Sequence, residues 1–176
     1  MKLVTSIALA LLLPTAALAR IQPPPKAAPP SGFRSEFLAN LDEVQEKIMS
    51  LAEATPADKF AWRPAPGVRS ISEVYMHIAG GNYFLATFVG KPAPKTNDLE
   101  KTITKKDAVL AELRRSFDHL RASANNVKDL EKPVKMFGNQ TSQRGVLVTM
   151  LSHLHEHLGQ SVAYARMNGV VPPWSR

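Results

Sequence analysis

The chain has 176 residues, 44% of them hydrophobic, with 22 Lys and Arg against 15 Asp and Glu and no cysteine. The missing thiols exclude a disulfide framework, a cysteine nucleophile and a thiolate metal site, leaving histidine and carboxylate chemistry. The basic residues are scattered apart from Lys101, Lys105 and Lys106, and without aromatics interleaved on one basic face nucleic-acid binding is not expected.

The first residues carry the pattern of an export signal: Lys2, an apolar run from Leu3 to Leu13, Pro14, and the small-residue sequence Ala17-Leu18-Ala19. Cleavage after Ala19 is expected, giving a periplasmic or secreted product. The run is too short to span a bilayer as a mature helix, and no comparable segment follows, so no integral membrane segment is expected after cleavage. No cysteine follows the run, so lipid attachment is not expected either. Removal of residues 1–19 leaves 157 residues (176 − 19) and a net charge of +6 (21 basic against 15 acidic), enough for one domain. Residues 20–32 hold Pro23, Pro24, Pro25, Pro29 and Pro30 and are predicted to be an extended linker, with the folded domain over 33–176.

Phe37, Leu41, Val44, Ile48 and Leu51 recur at spacings of three and four and predict a first helix from Phe33 to about Ala54. Thr55-Pro56 predicts a cap with proline at the first helical position of a short turn through Trp62, which Pro64-Ala65-Pro66-Gly67 breaks. Ser70-Ile71-Ser72-Glu73 matches a capping box and opens a second helix to about Phe88. Its apolar arc is Ile71, Val74, Ile78 and Leu85. His77 lies on the flank of that arc in line with Gly81, which is expected to leave room beside the His77 imidazole.

After a proline-containing connection, Thr104 to Asp107 can start a third helix whose stripe is Val109, Leu110, Leu113, Phe117 and Leu120. Lys132 to Gly138 reads as an irregular or extended crossing segment. Thr141 or Ser142 can then cap a fourth helix that runs to about Asn168 and stops at Gly169. Its apolar residues Val146, Leu147, Met150, Leu151, Leu154, Leu158 and Val162 cover about half the helical wheel. The fold class expected is all-α, an antiparallel four-helix bundle with one longer connection.

His153 and His157 stand four residues apart on the fourth helix, so their side chains share one face about 5–6 Å apart and can hold one ion between them. His77, on a corresponding flank of another helix, would complete a three-histidine site, leaving a coordination position for water or substrate. His155 lies about 160° around the helix from His157 and is excluded as a ligand. His119, toward the end of the third helix, is expected to complement the helix dipole. His153-Leu154-His155-Glu156-His157 also fits the H-x-x-E-H pattern of inverted zinc proteases, but only 19 residues follow (176 − 157), little room for the further carboxylate ligand that pattern requires. Glu156 is a candidate catalytic base or a support behind the ligands, its other reading being a solvated helix charge.

Trp62-Arg63-Pro64-Ala65-Pro66-Gly67, then Ser70-Ile71 and His77, then His153-x-x-x-His157-x-Gly159-Gln160 with Gly169 and Pro172, resembles the DinB/YfiT-like superfamily over about Phe33 to Pro173. The resemblance implies a four-helix bundle of up-down-down-up connectivity, often a homodimer, with a divalent metal on His77, His153 and His157 and Gln160 as an accompanying polar residue. The family includes low-molecular-weight-thiol S-transferases, a thiol-dependent isomerase and members described as metal-dependent hydrolases. Glu156 stands where members often carry another histidine. The expected protein is thus an exported enzyme that acts on a small-molecule substrate, by hydrolysis or thiol transfer, through Zn²⁺ or Ni²⁺. Gln160 would orient a ligand, and Trp62, Tyr83 and Tyr164 would line the pocket. The alternative is a non-catalytic metal-binding or structural bundle, for which a closing fourth ligand such as Glu73 or Glu156 would argue.

Overall fold

The computed structural model describes residues 32–175; the expected signal segment and all but the last residue of the expected linker lie outside them. The fold is mostly helical. Four long helices, α1 (Phe33–Ala54), α2 (Ile71–Thr87), α4 (Lys106–Asn126) and α5 (Gln143–Met167), are joined by a four-residue helix α3 (Leu99–Thr102) and a hairpin of β1 (Pro133–Met136) and β2 (Asn139–Ser142). Each long helix packs against two others, in the cyclic order α1, α4, α2, α5.

The apolar stripes predicted from spacing are the faces that meet. Phe37, Leu41, Val44 and Ile48 of α1, Val74 and Ile78 of α2, Leu113, Phe117 and Leu120 of α4, and Val146, Leu147, Met150 and Leu154 of α5 form one buried core. Each such side chain contributes about 1.5–3 kcal/mol by leaving water. Leu110, Leu151 and Leu158 are only partly buried and flank that core.

The start of α2 fixes His77 in register. Ser70 accepts from the Glu73 N–H, and the Glu73 carboxylate accepts from the Ser70 N–H at 2.6 Å, the predicted capping box. The preceding loop is tied back to the helix: Ile71 N–H donates to Trp62 O (3.0 Å), Ser72 N–H to Phe60 O (2.9 Å), and Arg63 reaches both Val68 O and Glu73. Gly67 adopts a left-handed φ of 79°, which is why this turn takes glycine.

Three local expectations are corrected and one is sharpened. Pro56 precedes the short 3₁₀ turn Ala57–Lys59 instead of occupying its first position, and the Thr55 hydroxyl donates back to Leu51 O, finishing α1. Helix α4 begins after Lys105 without a side-chain cap, so Thr104 does not cap it. The crossing segment is extended, as one strand of a β-hairpin whose two-residue turn follows the Met136–Asn139 pair; of the two candidate caps for α5, Ser142 takes the role, accepting from Gly145 N–H. His119 sits about two turns short of the end of α4, edge-on to the Tyr83 ring at 5.1 Å, with its pKa held down by burial and by Lys91. A neutral ring away from the terminus gives no dipole complement.

Among the described residues no helix is long and apolar enough to cross a membrane.

Candidate metal centre

His77 comes from α2, His153 and His157 from α5, and the packing of those two helices brings the three rings together. Ring centroids are 5.3 Å apart for His77 and His153, 4.7 Å for His77 and His157, and 4.6 Å for His153 and His157. One nitrogen from each ring lies within 4.8 Å of the others.

Two of the rings have their tautomers set. His77 Nδ1 is 2.9 Å from Glu100 Oε1; a carboxylate only accepts, so Nδ1 carries the proton and Nε2 keeps its lone pair. Arg69 holds the other oxygen of Glu100 at 2.8 Å. Burial opposes ionisation of Glu100, but the hydrogen bonds from Arg69 and His77 together outweigh it and hold the carboxyl below its ordinary range. His157 Nδ1 donates to Gln160 Oε1 at 2.9 Å, Gln160 Nε2 donates to the Tyr164 hydroxyl at 3.1 Å, and Trp62 packs edge-on to Tyr164 at 5.5 Å. Such partners behind a ligand fix ring orientation and raise its basicity.

His153 differs. Its Nδ1 is buried without a hydrogen-bond partner, and its ring fills the space over Gly81, where a β-carbon would stand 2.3 Å from His153 Cε1. Burial, then the neighbouring His157 and His77, push its pKa down to about 4. Burial likewise lowers His77, partly opposed by Glu100. Neutral imidazoles with free lone pairs are what a divalent cation requires, and the unpartnered nitrogen is a polar group that packing alone leaves unsatisfied. The donor set therefore fits a metal ion.

Beside the histidines opens a cavity of about 570 Å³ whose walls include His77, His153, Glu100, Glu156 and Phe84. Glu156 is exposed and lines it, without joining the three-nitrogen group. His155 turns away, exposed, its Nδ1 against Leu151 O at 2.8 Å. Gln160, Trp62 and Tyr164 form the chain behind His157 and do not line this cavity. Tyr83, expected at the pocket, is instead buried against α4, its hydroxyl donating to the buried Glu112 at 2.8 Å. It lies six residues after His77 (83 − 77), about 120° away around the helix.

Tyr83→Phe is accordingly expected to leave metal content unchanged while destabilising the protein by about 1–3 kcal/mol, because a buried carboxylate loses a donor. Urea unfolding read alongside metal analysis checks both halves.

Sequence reasoning missed Glu100. It stands on α3, a single turn after a connection rich in Pro, Lys and Asn, and no periodic signal marks it. Asp98, which caps that turn by accepting from Lys101 N–H, was the available sign.

The chain belongs to the DinB superfamily, whose sequence profile matches residues 40–161. Its fold is similar to the crystal structure of a DinB-like protein from Bacillus cereus ATCC 10987, with 18% identity, a TM-score of 0.69, and coverage of 78% of this chain and 93% of that one. A DinB-like protein from Bacillus subtilis is also similar, at 20% identity and a TM-score of 0.58, covering 79% of this chain and 92% of that one. No protein of curated function matches.

Proposed function

We propose that this DinB-superfamily protein is an exported metal-dependent enzyme that acts on a small substrate, by hydrolysis or thiol transfer, with Zn²⁺ or Ni²⁺ held by His77, His153 and His157. The observation that carries it is the convergence of one nitrogen from each of three imidazoles, two rings having their tautomers set by Glu100 and Gln160 and the third, His153, holding a buried Nδ1 without a partner. An ion there would lower the pKa of a bound water to about 7 or polarise a bound thiol or carbonyl. Glu156, on the cavity wall one helical turn from His153, would take a proton from a molecule in the cavity or return one to it. Gln160 acts on His157 and not on substrate, as its amide is engaged on both sides.

Catalysis is favoured over a purely structural metal by what surrounds the ligands. Glu73, one candidate for a closing fourth ligand, is engaged by Ser70 N–H and Arg63. Glu156, the other, stands outside the three-nitrogen group, and His77 and His153 face the cavity. Three protein ligands beside an accessible space is the arrangement of catalytic zinc sites. A bundle of up-down-down-up connectivity, a homodimer and export after cleavage at Ala19 are part of the same proposal.

The test is metal analysis of protein purified without an affinity tag, followed by titration with Zn²⁺ and Ni²⁺. About one ion per chain is expected. Absence of metal together with no rebinding at micromolar concentration would sink the proposal.

A further inference from the structure

The cavity is lined by two unlike sets of side chains. Where His77 and His153 line it the wall is polar; where Phe84 and Phe137 line it the wall is aromatic. The Phe84 and Phe137 ring centroids are 6.0 Å apart, and Phe88 backs both at 5.3 and 5.7 Å. Phe84 is 50% exposed and Phe137 63% exposed, an unusual cost for two large apolar rings unless something covers them.

Phe137 is also held in an unfavourable backbone conformation. It occupies the first position of the Phe137-Gly138 hairpin turn with φ 50°, followed by Gly138 at φ 85°. A two-residue turn with both φ angles positive favours Asn-Gly, and an L-residue in this region costs roughly 1–2 kcal/mol. Placing a phenylalanine there sacrifices hairpin stability to put an aromatic ring on the cavity rim.

Charge narrows the occupant further. In a chain of net charge +7, the cavity walls carry Asp98, Glu100 and Glu156 but no Lys or Arg. Asp98 is paired with Lys101 and Glu100 with Arg69, whereas Glu156 makes no ion pair among the described residues. In the metal-free protein the fixed charge left unneutralised on the wall is negative.

We propose that the cavity binds small molecules with an aromatic, uncharged or cationic body, seated on Phe84 and Phe137 while a polar head faces the histidines. The assignment of the head rests on the metal reading above; the assignment of the body does not. N-phenyl-1-naphthylamine and its sulfonated counterpart 1-anilinonaphthalene-8-sulfonate share one ring skeleton and differ in negative charge, so fluorescence titration of the full-length, metal-free protein separates the two properties.

The neutral dye is expected to bind at one site per chain, at least about tenfold more tightly than the sulfonate. Phe84→Ser should weaken it about tenfold through lost apolar contact. Phe137→Asn should do the same while retaining or raising the melting temperature, since it restores an Asn-Gly turn, so the loss cannot be ascribed to unfolding. Equal or tighter binding of the sulfonate, or undiminished binding by Phe137→Asn, overturns the proposal. So does a concentration-dependent dimer that Phe137→Asn dissociates and that excludes the dye, because a second copy would then be the occupant. Dye selectivity that survives in a protein shown to bind no metal would sink the metal reading alone.

Discussion

Replacing His153 with alanine is expected to strip most of the bound metal while leaving the helical circular dichroism largely intact. The loss should exceed the roughly 10–100-fold that removing a partner behind a ligand costs, because a ligand itself is deleted. Stability should respond in an asymmetric way. In the metal-free protein the His153 ring is a burden, with Nδ1 buried and unpartnered, so deleting it relieves a desolvated polar group even as it opens space. The melting temperature of the native chain should therefore rise with added Zn²⁺, as it does for any ligand that binds only the folded state, and that of His153→Ala should not. Metal stoichiometry after dialysis is the decisive measurement. An unchanged ratio in the variant would remove His153 from the site.

Gly81→Ala should reach the same centre from the opposite helix. The added methyl would stand 2.3 Å from His153 Cε1, 2.9 Å from Nε2 and 3.0 Å from Nδ1, so the imidazole must move. Overpacking of this kind costs about 1–3 kcal/mol, offset in part by the gain of about 1 kcal/mol for replacing a helical glycine with alanine. Net stability should thus fall by no more than about 2 kcal/mol, whereas metal affinity should fall at least about tenfold because a ligand is displaced from its position. Gly80→Ala is the internal control: apart from its chain neighbours and its own helix backbone, a β-carbon there would meet nothing within 4 Å, so it should stabilise without touching the metal. Equal metal binding by both variants would show that His153 tolerates displacement and is not a ligand.

The pattern of what the sequence revealed has a physical basis. Long helices announce themselves because the core is read at intervals of three and four, and every residue of the predicted α1 stripe, from Phe37 to Leu51, is buried. The same periodicity separated His153 and His157 from His155, since helical phase is a property of one helix. Interactions between helices left weaker marks. Gly81 was expected to accommodate His77, its own neighbour on α2; it accommodates His153, which arrives from α5. A helical wheel shows the space a glycine leaves and not which partner enters it. Tyr83 was expected to line the pocket, although its phase turns it toward α4 and Glu112. The hairpin escaped because its strands are four residues each, open with Pro133 and carry Lys135 and Gln140 in place of a clean alternation, around a turn without the usual Asn-Gly.

The convergence of His77 with His153 also bears on how the chain is held together. The two lie 76 positions apart in sequence (153 − 77), and the chain has no cysteine with which to join distant segments. An ion shared between α2 and α5 would act as a reversible clasp across a long loop, of the kind that limits the freedom of the unfolded chain. Its tightness would follow metal supply and chelators and would be indifferent to reductants, so the conditions that loosen this protein differ from those that loosen a disulfide-bonded neighbour.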